Sequence, residues 1–249
     1  MSIFLVLAFL FFMGALAGWV IELFFRRFVS RENPERKWIN PGFLTGPYIP
    51  LYGFGLCILF LLATLEYNGI TGNKYIDKIF LFIAMTICVT AVEYIAGILC
   101  IKIFKVRLWD YSSERWNIQG IICPKFSLIW AGLSAVYYFG IHPHIIDACI
   151  WLSENLAFSF FIGMFYGVFV IDVCHSMQLI TKMREFAKDN DIEVKFEALK
   201  SHIRKRQDKR NEKHYFLFPF HSRDTLNSHL KNMYEELIEK IHNDKTPKT

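Results

Sequence analysis

The stretch WINPGFLTGPYIPLYGFG, residues 38–55, holds three prolines and four glycines and runs directly into LCILFLLATL, residues 56–65. Proline and glycine are the residues least compatible with a regular helix, yet the run that follows is as apolar as a bilayer-crossing segment. Irregular backbone is tolerated at membrane depth only where protein buries it or a watery cavity solvates it. The stretch is therefore either a loop lying wholly outside the bilayer or the wall of something inside it.

The composition sets the frame. Apolar residues make up 53% of the chain, 25 residues are Phe, and the mean hydropathy is positive, which favours a membrane protein. The long apolar runs lie within 1–180, whereas 181–249 is dense in Lys, Glu, Asp and Arg. A transmembrane bundle over 1–180 and a charged cytoplasmic helical tail over 181–249 are expected. The formal charge of +5 is too small to imply nucleic acid. Six cysteines stand singly in or beside apolar segments, without CxxC or zinc spacing, and read as small packing residues. The N-terminal run lacks the basic region of a cleavable signal and is too long for one, so it is expected to remain as a membrane helix.

Crossing the hydrocarbon core takes an apolar run of about 20 residues. Five runs meet that length: 3–25, 43–65, 79–101, 121–140 and 156–174. Glycine pairs at Gly14/Gly18 and Gly163/Gly167 have the spacing that lets helices approach closely. The segment 26–42 carries Arg26, Arg27, Arg31, Arg36 and Lys37, and 102–120 carries Lys102, Lys105, Arg107 and Arg115. The intervening segments hold only Lys74 and Lys78 in one, and no Lys or Arg over 141–150 in the other. Basic loops stay cytoplasmic, so the N-terminus is expected outside and the C-terminus inside a cell membrane crossed several times.

The opening stretch has an internal echo. Pro47, Leu51 and Gly55-Leu56 recur as Pro124, Leu128 and Gly132-Leu133. Trp38, Asn40 and Gly42 recur as Trp116, Asn117 and Gly120, and each preceding helix carries one glutamate, Glu22 and Glu93. The pattern is compatible with a 2+2 hairpin repeat inside an all-α bundle.

Ionisable residues within spans are costly and mark functional sites. They are Glu22, Glu93 and Asp172. Glu22 has Arg26 at i+4 as a ready partner. Glu93, in TAVEYIAGILC, has no base within helical reach and lies eight residues before Ile101, about 12 Å along a helix. All three belong to the cytoplasmic half of the expected bundle. The approach loops reach the same side with Asn40, Gly42, Thr45, Gly46, Pro47 and Tyr52 from one, and Trp109, Asp110, Tyr111, Ser112 and Asn117 from the other. Together these residues predict a polar, cytoplasm-facing cavity. The ordinary alternatives stay open: interfacial aromatics and turn caps account for the WDYS segment.

The absences narrow the chemistry. GITGNK, residues 69–74, lacks P-loop spacing, and neither GxSxG nor HExxH occurs. His142, His144 and Asp147 have ligand-type side chains in an expected outer loop, without a fourth ligand. No metal or other cofactor is expected. In the tail, apolar spacing over 191–210 and 223–242 predicts a helical hairpin, with Ser222 as cap of its second helix and the apolar FLFPF (216–220) between. Arg204, Lys205, Arg206, Lys209 and Arg210 would suit anionic lipid headgroups or an ordinary solvated face, and FLFPF a docking protein.

Assembled, GWVIE (18–22), the 38–55 stretch, Glu93, WDYSSERWNIQGIICPKFSLIW (109–130), VKFEALKSHI and FLFPF resemble the putative ABC-transporter permease family of type IV, CmpB-like. That resemblance implies a transporter component without its own ATPase domain. A separate ATPase subunit would then meet the cytoplasmic segments 26–42 and 102–120 or the tail. A membrane-embedded enzyme or a scaffold, acting on a lipid or lipid-linked substrate, is the other role the residues leave open.

Overall fold

The computed structural model describes residues 2–30, 33–64 and 73–245. Arg31, residue 65 and the 69–72 part of GITGNK lie outside the described residues. The protein is mostly helical. Helix α1 spans Ile3–Phe28, opened by the Ser2 side chain accepting the Leu5 N–H. Then follow α2 (Pro50–Thr64), α3 (Lys74–Phe104), α4 (Pro124–Val136), α5 (His142–Glu154) and α6 (Ser159–Asp189). Among the described residues three stretches are long and apolar enough to cross a membrane: Ile3–Phe28, Tyr75–Phe104 and Leu156–Asp189. The chain is a membrane protein.

Two of the five expected spans take another form. The run expected from residue 43 becomes helical only at Pro50, where proline's fixed φ suits a helix start, and residues 38–49 follow a non-helical path. The run expected over 121–140 continues through a π-helical turn, Tyr137–Ile141, into α5, so the expected outer loop at 141–150 is helix. Pro143 cannot donate to the hydrogen-bond ladder, and the wider turn closes there with the His142 N–H on the Tyr137 carbonyl. Helix α5 ends instead at Glu154, and Asn155–Phe158 lead into α6, partly as a 3-10 turn. Among the described residues no cluster of three or more His, Cys, Asp or Glu could hold a metal.

The first glycine pair is used. A Cβ on Gly14 would stand 2.8 Å from Leu56 Cβ, and one on Gly18 2.1 Å from Tyr52 Cγ. The glycines therefore let α2 lie directly on α1, with Leu10, Leu59, Met85 and Leu152 in the apolar core beside them. The second pair meets nothing: a Cβ on Gly163 or Gly167 has no neighbour within 4 Å.

Helix α6 runs unbroken through residue 180, so the change in composition falls inside one helix. Beyond it, β2 (Val194–Lys195) pairs in parallel with β1 (Val106–Arg107), Val106 opposite Val194. Helices α7 (Phe196–Lys209) and α8 (Leu226–Lys245) follow. Val106, Met183, Val194, Phe196, Leu199, Ile203 and Leu230 form a second core, which packs the charged region against the loop-bearing end of the bundle. Thr225, not Ser222, caps α8: its Oγ1 accepts the Ser228 N–H at 3.3 Å, the bond an N-cap makes. Ser222 donates to Glu212 instead. FLFPF is partly absorbed, with Phe220 against Phe196 at 5.3 Å between ring centroids and Phe216 against Trp19 at 6.2 Å.

Candidate functional site

Residues 40–49 press irregular backbone against the middle of α1. The Ile49 N–H donates to the Ala15 carbonyl at 3.0 Å, roughly 20 Å along the axis from Phe28 at 1.5 Å per residue. Leu44 and Tyr48 are buried with Ala15. Buried backbone polar groups need partners, and side chains supply them. Asn40, itself fixed by the Trp19 indole N–H at 2.7 Å, donates to the carbonyls of Leu44 and Thr45. Lys200 donates to the carbonyls of Asn40 and Gly42 at 3.1 and 3.4 Å. Gly42 sits at φ +75°, a left-handed value that favours glycine.

Asp172 completes the set. Its Oδ1 accepts the Thr45 N–H at 3.2 Å, the Thr45 hydroxyl and the Ser176 hydroxyl. Its Oδ2 accepts the Gly46 N–H at 2.8 Å and the Tyr48 hydroxyl at 2.7 Å. Asp172 is thus an anchor for the turn at Thr45–Gly46 and does not line the cavity described next.

That cavity, about 240 Å³, lies between α1, α2, α3, α4 and the loops. Glu22 and Glu93 both line it, together with Gly42, Tyr48, Tyr52, Trp109, Tyr111 and Trp130. Tyr52 donates its hydroxyl to Glu22 Oε2 at 3.2 Å, while Arg26 Nε meets Glu22 Oε1 at 3.0 Å. Tyr111 donates to Glu93 Oε1 at 3.2 Å and the Trp130 indole N–H to Oε2 at 2.9 Å. Each glutamate therefore receives a hydroxyl or indole donor from beyond its own helix. Glu93 is only 2% exposed, and the Tyr111 hydroxyl and Trp130 indole that hold it are neutral.

The charged region borders the cavity at this end. Arg26 Nη1 reaches Glu197 Oε2 at 2.8 Å, and Lys200 Nζ reaches Glu197 Oε1 at 3.2 Å, so Glu22, Arg26, Glu197 and Lys200 form a continuous chain of opposite charges. Burial opposes the charge on Glu197, but Arg26 and then Lys200 outweigh it and hold the carboxyl below its ordinary value. Phe196 and Glu197 also line the cavity.

The second approach loop is held by similar means. Asn117 accepts the Gly120 N–H at 2.9 Å and donates to the Glu114 carbonyl, and Gly120 sits at φ +67°. The Trp109 indole donates to the Ile121 carbonyl at 2.9 Å. Asp110 turns outward to Lys195 at 2.7 Å. Burial opposes its charge, but the bonds from Lys195 and Ser112 prevail and hold its carboxyl down to about 2.

Of the residues singled out from the sequence, Glu22, Glu93, Gly42, Tyr52, Trp109 and Tyr111 come together in the cavity. Asn40, Asp110 and Ser112 line instead a neighbouring groove of about 900 Å³ between the 33–40 loop, the 107–113 loop and α7. Thr45, Gly46 and Asn117 serve the loops' own architecture, and Pro47 follows directly in the turn that Asp172 anchors. Sequence reasoning missed Trp130, Glu197 and Lys200. The only signal for the last two was an acid–base pair at i,i+3 in KFEALK. Of the basic cluster, Arg204 and Lys205 line the groove, and Arg206 and Arg210 face Asp224 at 3.7 and 2.9 Å.

A family model described as putative ABC-transporter type IV matches residues 9–177. The match takes in Glu22, both loops, Glu93, Trp130 and Asp172, and ends before the charged region. No curated protein and no solved structure matches the chain.

Proposed function

The chain belongs to the family described as putative ABC-transporter type IV, and from that premise we propose that it is the membrane-embedded permease subunit of an ABC-type transporter, powered by a separate ATPase. The observation that carries the proposal is the pairing of Glu22 and Glu93 in one cavity of about 240 Å³, each held by an aromatic donor from a neighbouring element. Such a site, polar groups converging between helices on irregular backbone, suits substrate handling near the membrane interface. In this account the bundle crosses five times. Helix α2 is completed by the buried 40–49 segment, and α4, the π-turn and α5 make one crossing. The basic loops place the N-terminus outside and the charged region 181–249 in the cytoplasm, and the two hairpins, α1–α2 and α3–α4, form the 2+2 repeat. The groove beside the site offers the loops and α7 as one continuous surface for the ATPase. Lys209 would lie near anionic headgroups, while Arg204 and Lys205 belong to the groove and Arg206 and Arg210 are engaged by Asp224. Affinity purification from native membranes in mild detergent tests the proposal. An ATPase should accompany the chain, and its consistent absence would refute the transport role.

A further inference from the structure

The charges around the cavity do not balance. Glu22, Glu93 and Glu197 line it against Arg26, and Lys200 adds one cation from behind Glu197. Arg26 lies between Glu22 and Glu197 and Lys200 meets Glu197, so those four compensate one another. Glu93 is left over. Among the described residues its hydrogen-bond donors are the Tyr111 hydroxyl and the Trp130 indole N–H, and an indole N–H only donates. A desolvated carboxylate held by neutral donors alone is costly, and a well-placed cation beside it offsets part of that cost.

The walls indicate what kind of cation. Tyr52 and Trp130 lie 5.1 Å apart between ring centroids, and both rings, with that of Trp109, line the cavity. Aromatic faces attract ammonium groups, most strongly where water is excluded. A hard metal ion requires about six oxygen ligands, whereas among the described residues no group of three or more His, Cys, Asp or Glu is placed to hold a metal ion. A volume of about 240 Å³ suits a small molecule.

We propose that this cavity binds a small organic cation of the ammonium class, with Glu93 as its counter-ion and Tyr52, Trp109 and Trp130 as its aromatic walls. The inference rests on reading the cavity as the substrate site and names the class of substrate it takes. Glu93 supplies the charge, Trp130 and Tyr111 fix its carboxylate, and the Glu22–Arg26–Glu197 chain keeps the remaining charges internally satisfied.

The test uses the full-length chain in lipid nanodiscs, titrated at constant ionic strength with choline and with dimethylbutanol, its uncharged carbon isostere. Tryptophan fluorescence and thermal stability are the readouts. Choline should bind saturably, and the isostere about tenfold more weakly or less, as loss of the cation's attraction to carboxylate and rings requires. Glu93→Gln should weaken choline by at least about the same factor while leaving the weak response to the isostere in place. The two-probe comparison on the unaltered chain holds even if that variant fails to fold. Equal responses to the two probes, or no saturable response to choline, would overturn the proposal. Choline binding without an accompanying ATPase would sink the transport role and leave the cation site standing. An ATPase without choline binding would do the reverse.

Discussion

Replacing Asp172 by Asn should release the 44–49 turn. The native carboxylate accepts backbone N–H groups at both oxygens, Thr45 at Oδ1 and Gly46 at Oδ2. A carboxamide has one accepting end. However it is turned, its NH₂ faces either the Thr45 or the Gly46 amide, neither of which can accept. The hydroxyls of Thr45, Tyr48 and Ser176 can rotate to adapt; the amide cannot. One partly buried donor is orphaned, at about 1–3 kcal/mol, and the surviving bonds lose the help of a charge, for a total of about 2–4 kcal/mol. Local opening of the turn should become roughly 30- to 900-fold more frequent. Hydrogen exchange of the chain in nanodiscs, read by mass spectrometry over 43–50, should accelerate accordingly. Ser176→Ala, which removes a single hydroxyl donor and orphans nothing, should cost about 1 kcal/mol or less. Equal exchange in Asp172→Asn and the unaltered chain would show that the carboxylate does not hold the turn.

Other perturbations separate used features from unused ones. Gly18→Ala places a methyl where the Tyr52 ring already lies and should destabilise by about 1–3 kcal/mol in thermal melts, whereas Gly167→Ala, with open space around it, should stay within about 0.5 kcal/mol. His229 is fully buried, and neither ring nitrogen has a hydrogen-bond partner among the described residues. Burial holds its imidazole below the ordinary value; Asp224 opposes this, while His202, Arg206 and Arg210 add to it. His202 is likewise lowered, by burial first, with Glu236 opposing. Both rings are favoured neutral in the fold, so their contribution is full above about pH 6.5 and shrinks as pH falls below it, where the unfolded chain takes up the protons. Exchange in α8, corrected for intrinsic rate, should rise between pH 7.5 and pH 5.5, and His229→Leu should flatten that rise. An unchanged slope would place the pH response elsewhere.

What could be read in advance follows from the range of each interaction. Glu93 stood out because an acid in an apolar run without a base one turn away cannot be satisfied within its own helix. The proline- and glycine-rich 38–55 stretch announced irregular backbone by composition. Gly42 and Gly120, aligned by the internal echo, both adopt left-handed backbone. Asp172 was visible as a buried acid, but its task depends on two amides more than 120 positions earlier, and no local pattern encodes that. Glu197 and Lys200 sit in a segment whose alternation of charge is also that of an ordinary solvated helix. The parallel pairing of Val106 with Val194, with the second core around it, brings that helix onto the cavity. The π-turn at Tyr137–Ile141 escaped notice because the His-Pro-His segment beyond it carries the residue types of a loop.

The central claim is that Glu93 faces a cavity open to the cytoplasm and selective for positive charge. Ala96 lines that cavity one turn from Glu93 on α3. In a chain with its native cysteines replaced, Ala96→Cys is exposed to membrane-impermeant cationic and anionic methanethiosulfonates in inside-out and right-side-out vesicles. The account predicts labelling from the cytoplasmic face alone, faster with the cationic reagent, and loss of that preference on adding Glu93→Gln. Labelling from the outer face only, or equal rates with both reagents, would contradict it.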